Sequence, residues 1–316
     1  MPESRMNSLF GILLQILAVL VFTLQGAFVR YLGGRVPLGE IVFFRNVVAL
    51  APLLLVLAWQ GKIATLHTKN LKAHVSRSFT NVSGMFLNFA GLTRVPLADA
   101  TALGYATPLF TVILAAAFLG EVVRFWRWSA VIVGFIGVLI MLSPYLGQGT
   151  NDSETLLGAI LCLTAAFLFG IALTQVRHMT VTESTGALVF YYSIIAAVIG
   201  SVTAFWGWVV PRGGDLAALL ALGVFGGLAQ ILMTESFRQA PASVLAPFAY
   251  TSMIWAVAIG FFWFGEVPEI IVLLGAMIVI GSGLFVIWRE HKLGLDRKRA
   301  AENAVSPAAT PPIEPP

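Results

Sequence analysis

The stretch FFRNVVAL (43–50) sets Arg45 and Asn46 inside an otherwise apolar run. A guanidinium held away from water is costly unless it meets a partner. Its forked donors suit a carboxylate or carbonyl on a ligand. The other reading is structural, with Arg45 capping helix ends or pairing with Glu40. Asn81 and Asn88 stand seven residues apart and so share one helix face, where they either line a cavity or cross-bond two helices. Tyr191 beside Tyr192, Gln230, Tyr105 and Tyr250 complete the polar groups placed deep in apolar runs. Their amides and phenols can hydrogen-bond a ligand, and the rings can stack on a planar one. Bond-breaking chemistry asks for other sets: a metal-ligand cluster or a nucleophile beside a base. No H-E-x-x-H, paired interior carboxylates, Cys–His combination or G-x-x-x-x-G-K-[ST] phosphate loop occurs. The chemistry on offer is binding. No enzyme activity, cofactor or metal is expected, and an intramembrane enzyme is the alternative these absences weigh against.

The runs that must position these groups dominate the chain. Hydrophobic residues make up 58% of 316 and charged ones 11%, with mean hydropathy +0.89. A soluble domain carries about 25% charged residues, so this composition implies a polytopic membrane protein. Barrel strands would alternate apolar and polar residues over about 10 positions. Here the runs are continuous and about 20 residues long, enough to cross about 30 Å of hydrocarbon as helices. Gly, Pro and charge clusters divide the chain into about ten spans. They fall near 9–29, 38–58, 74–93, 97–120, 126–143, 156–176, 186–209, 216–237, 242–264 and 269–288. The first is too long for the apolar core of a signal peptide, about 7–15 residues, and is expected to be retained. The single cysteine, Cys162, reads as a small core hydrophobe.

Lys and Arg near the span ends gather on one side, from Arg5 through Lys62, Lys69, Lys72 and Arg77 to the run Arg297, Lys298 and Arg299. The other side holds Arg30, Arg35, Arg94 and Arg212. The positive-inside rule therefore places both termini in the cytoplasm. GYATPLFTVILAAAFLGEV (104–122) aligns without a gap on AYTSMIWAVAIGFFWFGEV (249–267), and 11–31 aligns on 158–178, setting Arg30 against Arg177. The halves, 1–145 and 146–290, hold about five spans each. Five is odd, so the second half enters from the opposite face. Inverted repeats of this kind build alternating-access carriers with a site near the midplane. Duplication without transport is the other reading of the echo, while the inverted repeat and the interior polar groups argue against a scaffold protein. The basic and Pro-rich segment 291–316 is read as a disordered cytoplasmic tail.

Within this frame Pro108 and Pro247 fall inside the fourth and ninth spans and are expected to kink them. Tyr105 and Tyr250, equivalent in the repeat, either project hydroxyls into a cavity or pack between helices. Glu121 and Glu266 end those spans at the interface. There they can accept a hydrogen bond from a helix N-terminus or pair with an arginine, a structural role. Glu235 and Arg238 share a face and are expected to pair. Gly223 and Gly227 form a GxxxG packing face, with Gly134 and Gly137 nearby in another helix. Carboxylates sit at span ends and no histidine lies mid-span, so facilitated diffusion or exchange fits as well as proton coupling.

This arrangement resembles the EamA branch of the drug/metabolite transporter superfamily. The resemblance rests on RVPLADATALGYATPLFTVILAAAFLGE (94–121), AVIVGFIGVLIMLSP (130–144) and ASVLAPFAYTSMIWAVAIGFFWFGE (242–266), and it covers nearly the whole chain before the tail. It implies a carrier in a bacterial inner membrane that rocks two five-helix repeats around a central cavity. The partners implied are a small-molecule substrate and the lipid bilayer, without nucleic acid, and a monomer or homodimer fits equally. By family analogy the substrate is a planar vitamin or nucleotide-like metabolite such as riboflavin, taken up. Export of amino acids or related metabolites is the alternative.

Overall fold

The structure, a computed structural model, describes residues 8–61, 63–68, 70–119, 125–146, 153–179, 183–240 and 242–305. In lipid only a helix or closed barrel satisfies every backbone group within the spanning structure, and this chain takes the helical solution. The first repeat holds α1 (Ser8–Leu32), α2 (Leu38–Trp59), α3 (Leu71–Leu92), α4 (Leu97–Gly104), α5 (Ala106–Leu119) and α6 (Phe125–Leu142). The second holds α7 (Ser153–Met179), α8 (Thr185–Val202), α9 (Gly214–Gln239), α10 (Ala242–Ala249), α11 (Ser252–Phe264) and α12 (Ile270–Val305). With α4–α5 and α10–α11 each counted as one broken span, nine spans are long and apolar enough to cross a membrane among the described residues. α3 is the tenth, and its polar residues, Arg77, Asn81 and Asn88 among them, lower its hydropathy.

The packing carries the inverted symmetry. α1 lies along α9 and α3 along α7, so each repeat's first helix packs on the other's third. α2 meets its equivalent α8, and α6 meets its equivalent α12. Lipid provides no hydrophobic drive between helices, so these contacts depend on close approach. At Gly223 a Cβ would sit 2.4 Å from Val48 Cβ, and at Gly227 one would sit 2.5 Å from Pro52 Cγ. These two glycines therefore let α9 press on α2. Gly137 and Gly275 interlock α6 with α12, each facing the other's carbonyl oxygen, while Gly134 admits Leu109. Cys162 is buried against Gly91. Large apolar side chains such as Leu55, Ile132 and Phe262 point outward instead, as a lipid-facing surface requires.

Both broken spans part at the repeat-equivalent tyrosines. α4 ends before Tyr105 and α5 begins at Ala106; α10 ends at Ala249 and α11 begins at Ser252. Pro108 acts through its absent N–H, which would have bonded to Gly104, so it opens the chain one turn upstream of itself. Pro247 does not sit at its break: α10 runs through it. The chain opens only at Tyr250 and Thr251, whose N–H groups bond to Pro247 O and Phe248 O over three residues. The shared feature is the tyrosine position, while the prolines fall at non-equivalent places.

Two boundaries differ from expectation. α8 stops at Val202, short of 209, because the chain tightens into a 3-10 turn over Thr203–Trp206 and reverses at Gly207, φ 90°. α12 continues as helix to Val305 rather than becoming disordered after 290, in a segment rich in the helix formers Leu, Lys, Arg, Ala and Glu. The rest of the tail, 306–316, lies outside the described residues, as does Glu121.

Candidate functional site

A cavity of about 1270 Å³ opens between the repeats, bounded chiefly by α1, α2, α3, α8 and α9. It reaches Gln60, Thr65 and Phe237, which are exposed at the end of the bundle bearing the chain termini. It ends blindly toward the other end, at Leu92, Leu97 and Thr101. α4 packs on α11 at that blind end, while the equivalent α5 makes no comparable contact with α10 among the described residues. The bundle thus holds one side of its symmetry closed and the other open.

Glu266 makes the closed end. Gly265 takes φ 67°, a left-handed conformation that favours glycine, and terminates α11 with its N–H bonded to Phe261 O. The reversal carries Glu266 back onto the start of α4, where its Oε2 accepts from Leu97 N at 2.9 Å. Leu97 N is among the first N–H groups of that helix, which lack intrahelical partners and attract negative charge. The other oxygen of Glu266 pairs with Arg30 at the end of α1. Arg30 also donates to Leu92 O, at 2.9 Å, and to Val95 O, and its guanidinium lies 5.6 Å from the Phe264 ring centre. One ion pair therefore ties α1, the α3–α4 turn and α11 together. Beside it, Tyr145 donates to Asp99 on the first turn of α4.

Five of the polar residues picked from the sequence line the cavity: Arg45, Asn81, Asn88, Tyr192 and Gln230. Asn81 and Asn88 share the inner face of α3 with Arg77 and Met85, a stripe of helical spacing. Arg77 donates to Leu188 O at 2.8 Å and lies 5.8 Å from the Tyr192 ring centre. Arg45 does not pair with Glu40, whose Oε2 accepts from Val209 N instead. It donates to Asn46 Oδ1 at 3.1 Å, while Asn46 Nδ2 donates to Val42 O. Asn46 is fully buried and lies behind the cavity wall, where it orients Arg45.

The other three tyrosines, Tyr105, Tyr191 and Tyr250, fall elsewhere. The Tyr105 and Tyr250 rings meet edge to face with centres 5.2 Å apart, and neither lines the cavity. The Tyr105 hydroxyl donates to Tyr250 O and is 2.6 Å from Ser252 Oγ. The Tyr250 hydroxyl lies against Gly283 of α12. Tyr191 packs on His74, ring centres 4.7 Å apart, and its neighbour Tyr192 faces the cavity. Glu235, at the cavity's open end, accepts from Gln239 Nε2; the side chain of Arg238, its expected partner, lies outside the described residues.

Sequence reasoning passed over three residues. Arg77 counted only as an orienting charge, although its spacing from Asn81 and Asn88 puts all three on one face. Arg30 gave no signal of reaching Glu266, because the pair is made by tertiary packing. Gln25 is an interior amide like Gln230 and could have been found by the same criterion. It lines the cavity, is 6% exposed, and its Oε1 has no partner among the described residues.

Comparison with known proteins agrees with this architecture. The chain is 32% identical over 273 residues to the S-adenosylmethionine uptake transporter of Rickettsia felis, covering 86% of this chain and 90% of that one. It is 27% identical to the pseudopaline exporter of Pseudomonas aeruginosa, covering 85% and 93%. With the riboflavin transporter of Rhizobium johnstonii it shares 29% identity, covering 73% and 74%. One solved crystal structure superposes with TM-score 0.64 at 18% identity over 92% of this chain and 99% of that one, a likeness of fold. The model of the EamA-like transporter family matches twice, over residues 9–143 and 156–288. Two repeats, a cavity between them and these matches make the chain a member of the EamA-like transporter family, a multi-pass metabolite transporter and not an enzyme.

Proposed function

We propose that this transporter moves a planar, nucleoside-like or vitamin-like metabolite across a bacterial inner membrane by alternating access, in the direction of uptake. The observation that carries the reading is the cavity itself, about 1270 Å³, open at one end of an inverted-repeat bundle. Phe22, Phe89, Phe169 and Tyr192 give it flat apolar walls, and Gln25, Asn81, Asn88 and Gln230 supply donors and acceptors. Large apolar walls with a few placed polar groups suit a heteroaromatic ligand of modest size. With the termini cytoplasmic, as the Lys and Arg distribution supports, the open side faces the cell interior and the Arg30–Glu266 side faces outward. Rocking about the repeat axis would then exchange which end is sealed.

Uptake is favoured by the S-adenosylmethionine uptake transporter among its relatives, and riboflavin by the more distant riboflavin transporter. Export is a second reading with its own support, since the pseudopaline exporter matches over a similar length. Purified full-length protein in proteoliposomes, preloaded with unlabelled S-adenosylmethionine or riboflavin, provides the test. Counterflow of the labelled compound is the expected result, and growth rescue of a riboflavin auxotroph at limiting vitamin would give the cellular direction. Absence of flux for both compounds in both directions would overturn the substrate class.

A further inference from the structure

The charges in the cavity do not balance. Two guanidinium groups face it, Arg45 from α2 and Arg77 from α3, and Glu235 is the only carboxylate among its described lining residues. Neither arginine has an ion pair among the described residues. Among the described residues the hydrogen bonds of their guanidinium groups go to the uncharged oxygens Asn46 Oδ1 and Leu188 O. In each, Nε is buried without a partner among the described residues. A guanidinium kept in an apolar wall without a counter-charge is an expensive arrangement unless something else supplies the charge.

Their depths differ. Arg45 lies seven residues from the α2 end at the sealed side, about 10 Å along the axis, and Arg77 lies six residues from the opposite end of α3. The two are therefore separated along the cavity on the order of 10 Å. Arg77 stands nearer the open end, held by Leu188 O. Arg45 stands toward the blind end beside Gln25 and Gly226. A Cβ at Gly226 would come within 2.9 Å of Gln25 Oε1 and 3.8 Å of Arg45 Cγ, so this glycine keeps open the space between them. Asn46, locked to Val42 O, fixes one arm of Arg45 and leaves Nε unpartnered. An arginine fork with a neighbouring amide matches an oxyanion, whether a carboxylate or a phosphate.

We propose that the transporter selects substrates bearing an oxyanion, with Arg45 as its deep anchor beside Gln25 and Gly226 and Arg77 as its station near the open end. This deepens the planar-metabolite reading and rests on it. It ranks a phosphate ester or carboxylic acid above the neutral molecule of the same shape, flavin mononucleotide above riboflavin included.

Matched pairs test it. Proteoliposomes holding the full chain are offered adenosine or adenosine 5′-monophosphate, riboflavin or flavin mononucleotide, and indole-3-acetamide or indole-3-acetate. The expected result is a preference for the anionic member of about tenfold or more, the scale of a charge-assisted hydrogen bond. The first two pairs report phosphate and the third carboxylate. Arg45→Gln should bring the members of each pair close to parity, Arg45→Lys should restore part of the preference, and Arg77→Gln should raise KM for the anionic member. Gly226→Ala displaces only the end of a flexible amide and should also weaken the preference, which separates anchoring from a loss of folding. Flux without anionic preference, or a preference unchanged in Arg45→Gln, overturns the proposal while leaving the planar-metabolite reading in place. No flux for any of the six compounds overturns the oxyanion proposal, and no flux for S-adenosylmethionine as well overturns both.

Discussion

The Tyr105 hydroxyl reaches from the broken span of one repeat to the backbone oxygen of Tyr250 in the other, at 3.2 Å, with the two rings edge to face. The residues are equivalent by the inverted repeat, so the bond sits where the two halves meet. Unwinding at both breaks turns the rings toward each other and away from the cavity. Their effect on transport should therefore arise at the joint. Tyr105→Phe keeps the ring pair and removes the hydroxyl, so Tyr250 O loses this donor while Ser252 Oγ keeps its bond to Ala249 O. It should cost about 1 kcal/mol, read as a lower melting temperature in detergent, with KM little changed. Tyr105→Ala also loses the ring contact and should be worse by both stability and turnover.

Glu266 closes the blind end by two different bonds, and Glu266→Gln separates them. The amide oxygen can still accept from Leu97 N, but the ion pair with Arg30 is lost. Leaving one charge of a largely buried pair uncompensated costs about 3 kcal/mol. Arg30→Gln should cost a similar amount, and the double variant less than the sum, because neither charge is then stranded. A cysteine placed at Thr101, just inside the seal, should react faster with an impermeant thiol reagent from the closed side in Glu266→Gln. Unchanged labelling would show that the pair supports the fold without sealing the cavity.

Much of this architecture was legible in the sequence because it follows from length, periodicity and repetition. Continuous apolar runs require helices in lipid, and an odd number of spans per repeat inverts the second copy. The glutamate of the Gly-Glu ending was legible in kind as well: it reads as an interfacial carboxylate able to accept from a helix N-terminus or pair with an arginine, and Glu266 does both. Arg45, Asn81, Asn88 and Gln230 were legible as interior polar groups. Arg30 reaching Glu266 was not, since the two are far apart in sequence and meet only when α1 packs beside α11. Nor was the direction of the tyrosines, because the break in each span rotates residues by an amount that helical spacing alone cannot supply.

The GxxxG face on α9 makes a steric prediction. Gly223→Ala would place a methyl 2.4 Å from Val48 Cβ and 3.1 Å from Phe44 O. The backbone cannot yield cheaply there, and overpacking of this kind costs about 1–3 kcal/mol. Val48→Ala keeps its own Cβ but removes Cγ1, which the new methyl would meet at 2.8 Å, so Gly223→Ala with Val48→Ala should melt above Gly223→Ala alone. If the second change adds its own full penalty, the two residues do not share this contact.

Acid should loosen the rim of the cavity through Glu183, which lies in the turn between α7 and α8. Its Oε1 accepts from Thr68 Oγ1 at 2.7 Å, its Oε2 lies 3.4 Å from His74 Nε2, and the adjacent Ser184 bonds to Thr65 O. These contacts tie the α7–α8 turn to the α2–α3 connection, where Thr65 and Ser184 both border the cavity. The Thr68 hydroxyl, and secondarily the neighbouring His74, hold the Glu183 carboxyl below its ordinary value of 4.5. A carboxyl lowered in the folded state adds stability that is complete above its unfolded value and is lost as pH falls through the folded one. The melting temperature of the wild type should therefore fall between pH 5.5 and 3.5 by more than that of Glu183→Gln, in which this group cannot titrate. Thr68→Ala removes the largest cause of the shift and should narrow the difference toward that of Glu183→Gln. Parallel melting curves for wild type and Glu183→Gln across this range would exclude Glu183 as the acid-sensitive tie.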